Sequence, residues 1–218
     1  HSFPTRRSSD LIETFQEFID SYRLYALDKE TQKVYNLAQG TEYYPVPELL
    51  VFDVQNDKVE RGRIYSEKQP DATAFVTFYA QNDTLYTLNS HFVWAKYVPK
   101  RVNDSLFYQQ IASADVAPEP NRSYRYVYYQ DIEYEIVQCY TTAECMYFLV
   151  QKKDTNEFQV MTLDTKTGKI EGKIPLNPLL DNPKKLEHHT QDIATGATDN
   201  FVFQLKTEKG VYFLKCNA

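Results

Sequence analysis

VMTLDTKTGKIE, running from Val160 to Glu171, is the stretch on which the fold reading turns. An apolar strand ends in Asp164, four mostly polar residues follow, and Lys169 and the β-branched Ile170 restart the chain. Two other segments share the frame, LYALDKETQKVY (Leu24 to Tyr35) and LLVFDVQNDKVE (Leu49 to Glu60). They carry Asp28 and Asp53 at the strand exits, Lys33 and Lys58 at the restarts, and Val34 and Val59 after them. An Asp at a strand exit accepts hydrogen bonds from the N–H groups of the turn it opens. Gly168 and Asn56 are residues that tolerate positive φ, and each Lys is expected on the solvent side of the next strand. The unit is a hairpin with a turn of four to five residues, written three times.

Looser hairpins fill the gaps. Phe75 to Leu88 is expected to turn at Asn82-Asp83, Met146 to Leu163 at Asp154-Thr155-Asn156, and Phe201 to Lys215 at Glu208-Lys209-Gly210. Ser123 to Tyr140 alternates well enough for two strands around Gln130-Asp131. Breaks fall at Tyr44-Pro45-Val46-Pro47, at 113–122 and at 177–197. The helical signal is confined to Ile12 to Ile19 and the single turn Asn177 to Leu180. Aromatic residues make up 15% of the chain, 18 of them Tyr, and such side chains suit a pleated, half-buried surface. Period-2 runs separated by turn signals at this density predict an all-β, antiparallel fold.

Strand, Asp, polar turn, Lys, strand resembles the blade hairpin of β-propeller repeat proteins of the TolB-like, NHL-like and quinoprotein-like kinds, with DTKTGKI (Asp164 to Ile170) the nearest match. The resemblance implies a partial β-propeller of four-stranded blades, in which Met146 to Ile174 supplies three successive strands of one blade. A β-sandwich or a barrel is the alternative. The frame does not recur evenly: Asp28 and Asp53 stand too close for one blade of about 40–45 residues, and Asp53 and Asp164 too far apart. No WD dipeptide occurs, the single Trp is Trp94, and the tryptophan docking motif of quinone-dependent propellers is missing, so no cofactor is implied.

The chain begins HSFPTRRSSDL, His1 to Leu11. Back-translated, this stretch reads as the end of a common sequencing adapter, so residues 1–11 are set aside from fold reasoning as an artefactual tail. The expectation for 12–218 is one all-β domain truncated at its N-terminus. A formal net charge of −6 with both signs interspersed leaves no nucleic-acid footprint, and no apolar run reaches transmembrane length. Cys139, Cys145 and Cys216 are an odd number, which weakens a disulfide framework. Cys139 and Cys145 meet across a hairpin on one reading and are two buried thiols on the other.

Candidate chemistry is thin. Glu187, His188, His189 and Asp192 form the densest set of potential metal ligands, but the plainer reading is a polar loop, since a site needs a distant further ligand. His91, in NSHFVW, reads as a half-buried, hydrogen-bonded residue at a strand start. Glu133 and Glu135 lie two apart on a strand and share its solvated face. Tyr124, Tyr126, Tyr128 and Tyr134 suit either strand packing or a glycan or peptide surface. No G-x-S-x-G elbow and no glycine cluster is present. No catalytic or cofactor-binding residue is therefore assigned. The expectation is a non-enzymatic propeller-like protein that binds a protein or carbohydrate partner, in the envelope or secreted setting that the TolB-like resemblance implies. The alternatives are a propeller hydrolase or lyase with a central-channel site, built for example on His91 or His188-His189, and a ligand-binding β-barrel.

Overall fold

The computed structural model describes residues 23–38, 47–65, 75–119, 133–153, 155, 157–176, 200–207 and 210–217, the last two ranges as backbone only. Every element among them is a strand. They run β1 (Arg23–Asp28), β2 (Lys33–Ala38), β3 (Glu48–Asp53), β4 (Lys58–Tyr65), β5 (Phe75–Gln81), β6 (Thr84–Asn89) and β7 (Val93–Val102). After them come β8 (Ser105–Asp115), β9 (Tyr134–Thr141), β10 (Cys145–Lys152), β11 (Phe158–Asp164), β12 (Ile170–Pro175), β13 (Asn200–Thr207) and β14 (Gly210–Asn217). The fold is all-β, as the alternation implied. The break expected at 113–122 starts later, because β8 runs on to Asp115; its residues 120–122, the two helical candidates and the first strand expected around Gln130-Asp131 lie outside the described residues.

Strands follow one another in fours. β1–β4 and β5–β8 are antiparallel meanders, β9–β12 is a third, and β13–β14 is a hairpin. Met146 to Ile174 thus supplies three consecutive strands of one four-stranded sheet. The first strands of successive units begin at Arg23, Phe75, Tyr134 and Asn200, wider than standard blade spacing. That spacing explains the uneven recurrence: Asp28 and Asp53 close the first and third turns of one meander, and Asp164 closes the third turn of another.

One pairing breaks the antiparallel rule. β4 runs parallel to β8, with Gly62 opposite Leu106 and Tyr65 opposite Gln109. The first two meanders therefore share one eight-stranded sheet, and because β1 also lies against β5 that sheet curls nearly closed.

Period-2 alternation decides what fills it. Tyr35, Leu37, Leu49, Val51 and Ile64 of the first meander meet Phe78, Leu85, Ala95, Tyr97 and Tyr108 of the second. The opposite face of the second meander, with Tyr86, Leu88, Phe92 and Trp94, packs on Met146, Phe148, Val150, Met161 and Leu163 of the third. Tyr147, Leu149, Phe158 and Val160 project from the other side of the third meander into a separate cluster. The second and third meanders are thus apolar on both faces, which is why their strands read as nearly continuous hydrophobic runs. Each such side chain contributes about 1.5–3 kcal/mol on leaving water, both inside the curled sheet and where the third meander stacks on it.

The Asp-x4-Lys turns behave alike. Asp28 Oδ1 accepts from the N–H groups of Glu30 and Thr31, at 3.0 and 3.3 Å. Asp164 Oδ1 does the same for Lys166 and Thr167, at 3.0 and 2.7 Å, and Asp53 Oδ1 accepts from Asn56 N–H at 3.0 Å. The left-handed residue is the one just before the Lys: Gln32 at φ 55°, Asp57 at 47° and Gly168 at 68°. In the second copy it is Asp57, not Asn56, because the αL position closes the turn while Asn56 is occupied in bonding back to Asp53. The second meander uses tighter turns, Asn82-Asp83 as expected and Asn103-Asp104, both with positive φ at each central residue, as a type I′ turn requires.

Candidate functional site

The first and third turns of a meander lie at the same end, so the β1–β2, β3–β4, β5–β6 and β7–β8 turns gather at one end of the curled sheet. Here the backbone N–H of Asp83 donates to Asp28 Oδ2 at 2.8 Å. Asp83 Oδ1 in turn accepts from Lys33 Nζ and from the Tyr35 hydroxyl, both at 2.7 Å. Tyr35 and Tyr108, edge to face with ring centroids 6.1 Å apart, extend the network inward through their hydroxyls. Burial pushes both phenols far above their ordinary value, Tyr35 further than Tyr108, so they act as neutral hydrogen-bonding groups and not as bases.

Beside this network a cleft of about 410 Å³ opens between the meanders. Its floor is Val51, Pro99, Leu106 and Tyr108, and its walls carry Lys33, Lys58, Lys100 and Arg101 against Asp53, Glu60 and Asp83. Arg101 donates both terminal nitrogens to Glu60, at 2.5 and 2.7 Å. That fork holds Glu60 below the usual carboxylate range against the opposing effect of burial, helped by the charges of Arg101, Lys58 and Lys33. Asp53 is also held low, first by the Asn56 side chain and then by its backbone N–H.

None of the seven charged residues of the cleft was singled out as a site from sequence. Lys58 is exposed on the solvent side, as expected of a restart, and Lys33 is half-buried in its pair with Asp83; both line the cleft because β2 and β4 enter the sheet at its wall. The seven come from β2, β3, β4, β7 and the β5–β6 turn, and it takes both the parallel β4–β8 pairing and the approach of β1 to β5 to bring them together. No local motif announces such a set.

The sequence candidates fall elsewhere. Glu187, His188, His189 and Asp192, with Tyr124, Tyr126 and Tyr128, lie outside the described residues. Among the described residues no group of three His, Cys, Asp or Glu side chains is placed to hold a metal ion. His91 sits in the β6–β7 turn, at the far end of its meander from the cleft; it is half-buried, and its backbone N–H donates to Asn89 Oδ1 at 3.0 Å. Burial, and then the charge of Lys153, depress its basicity. Tyr134 packs against the second core, and its hydroxyl donates to Glu119 Oε1 at 2.9 Å. Cys139 and Cys145 do not meet: strand register puts Cys139 opposite Phe148, and the two thiols belong to opposite faces of the third meander. No helix among the described residues is long and apolar enough to cross a membrane.

No protein-family model matches the chain, and no curated protein matches it. Among solved structures it is similar to the β-propeller domain of Cps50 (Swd1) from Myceliophteria thermophila, with 9% identity and a TM-score of 0.42. That alignment covers 98% of this chain, which spans 57% of the length of the matched domain.

Proposed function

We propose that this chain is a propeller-like binding scaffold that engages a protein or glycan partner at the turn-bearing end of its first two meanders. The observation that carries the reading is the cleft itself: an apolar floor ringed by charges of both signs, with ion pairs joining the two meanders that form its walls. Sheets stacked on both faces form a rigid frame, and turns at one end of a rigid frame are where binding residues concentrate. The chemistry of the cleft fits recognition better than turnover. Glu60 and Asp83 are each occupied by a cation, Asp53 is occupied by its own turn, and both phenols stay protonated. None is poised as a general base at neutral pH.

The test is a peptide and glycan array probed with the full chain and with an E60A/R101A variant, which removes the ion-paired wall. The reading expects ligands retained by the wild type and lost by the variant, with no product formed from them. Ligands held equally by both proteins, or converted to product, overturn it.

A further inference from the structure

The charges of the cleft are not equally committed. Lys33 is paired with Asp83, Arg101 with Glu60, and Asp53 with Asn56. Lys58 and Lys100 are exposed, and neither ammonium makes a hydrogen bond or an ion pair with any described residue. Two acids of the cleft are neutralised by paired cations, and Asp53 keeps its charge under hydrogen bonds from Asn56, so the two remaining lysines leave the cleft with one positive charge in excess. The charge available to an incoming group is positive, although the chain as a whole carries −6. Cations on low-dielectric walls focus field into a cleft, and at physiological salt exposed charges more than about 8 Å away are largely screened.

The floor distinguishes between classes of anionic ligand. Carbohydrate sites stack sugar rings on open aromatic faces, but Tyr35 and Tyr108 are 0% and 1% exposed and present no such face. Pro99 instead is exposed and, with the small remaining surface of Val51 and Leu106 beneath it, offers an aliphatic patch suited to the methylene stems of side chains. The volume lies in the range of about 300–1,000 Å³ usual for clefts that enclose a small ligand or a few side chains.

We infer that the cleft takes an acidic peptide segment of a partner protein, whose carboxylates pair with Lys58 and Lys100 while its methylene stems lie on the exposed Pro99. This rests on the binding-scaffold reading and adds the class of ligand to it. The two lysines sit on different meanders, Lys58 at the start of β4 and Lys100 on β7, so a bound peptide bridges the two halves of the curled sheet.

The test is fluorescence anisotropy of a labelled, end-blocked hexaglutamate titrated with the full chain at low salt. Comparison ligands are hexalysine, an oligogalacturonate of matched charge and inorganic phosphate. The variants are K58E/K100E in the cleft and K166E/K169E on the third meander, which change the net charge equally. Wild type and K166E/K169E are expected to bind hexaglutamate alike, and K58E/K100E at least about tenfold more weakly, with the difference shrinking in high salt. Equal losses in both variants, or none in K58E/K100E, overturn the inference. Tighter binding of oligogalacturonate that is lost in K58E/K100E replaces the peptide with an acidic glycan, and competition by phosphate at equal charge reduces the site to a general anion site. Binding of hexalysine that E60A/R101A abolishes would sink the acidic assignment while leaving the scaffold reading in place. Ligands on the arrays that ignore the cleft altogether would sink both.

Discussion

Asp28 receives the backbone N–H of Asp83 on Oδ2 while its other oxygen caps its own turn. One carboxylate therefore fastens the first turn of one meander to the first turn of the next. Asp28 is fully buried, so removing it strands three N–H donors. Loss of a charged acceptor and stranded donors predict that D28A destabilises the chain by about 2–4 kcal/mol. D28N, which still accepts in an Asx-turn, loses roughly half of that. Urea midpoints followed by the emission of Trp94, the sole tryptophan, measure both.

Among the described residues four carboxyls sit below their ordinary values. Burial raises Asp28, but donors from Asp83, Thr31 and Asn82 outweigh it; Asp164 is lowered first by the Thr167 hydroxyl, Asp53 by Asn56 and Glu60 by Arg101. A folded-state pKa below the unfolded one contributes stability that is present above the unfolded value and lost as pH falls through the folded one. The urea midpoint should therefore fall modestly below about pH 6.5, where His91 takes its proton more readily in the unfolded chain, and drop further from about pH 4 downward as the carboxyls titrate. In D164N the acid limb should be shallower. A midpoint that rises on acidification contradicts the assignment.

The turn at Asp164 leans on the second meander. Trp94 Nε1 donates to the carbonyl of Thr165 at 3.0 Å, and Gly168, at φ 68°, lies so close that a Cβ there would penetrate the indole ring. Strained backbone and a collision with a 2% exposed Trp predict that G168A costs about 2–4 kcal/mol. At the matching position D57G relieves an L-residue from the left-handed region and should be neutral to stabilising by about 0.5 kcal/mol. Opposite signs at equivalent positions, read by denaturant unfolding, are the expected result.

These turns also mark how far the sequence could be read. The Asp-x4-Lys frame is local chemistry, so Asp28, Asp53 and Asp164 were legible as caps and Asn82-Asp83 as a tight turn. The αL position was misplaced by one residue in the copy where Asn56 and Asp57 stand side by side, since both types tolerate it. Which meander each copy belongs to was not legible, because the frame serves first and third turns alike. The cleft was hidden for a different reason. Lys33, Glu60 and Arg101 each look like ordinary solvated side chains, and only a parallel pairing between strands some forty residues apart makes neighbours of Glu60 and Arg101.

Cys139 faces the second core and Cys145 the third, where its thiol donates to Glu171 Oε2 at 3.2 Å. Burial pushes the Cys139 thiol far up, and burial with the Glu171 carboxylate raises Cys145. Non-reducing peptide mapping should recover the two cysteines in separate peptides, never joined to each other. Thiol reagents at neutral pH should modify Cys145 slowly and Cys139 only on unfolding.

The Glu60–Arg101 fork crosses from the first meander to the second, as Asp28–Asp83 does, but in the open wall of the cleft. Water and salt screen it there, whereas the Asp28 contact is enclosed. A double-mutant cycle of E60A and R101A should give a coupling well below the cost of D28A, and one that fades in molar salt. R101K should behave like R101A, because an ammonium cannot reproduce two parallel N–H bonds to one carboxylate. If the coupling instead matches the D28A cost and ignores salt, the cleft wall is a buried structural joint, and its ion pair is no longer accessible to an incoming ligand.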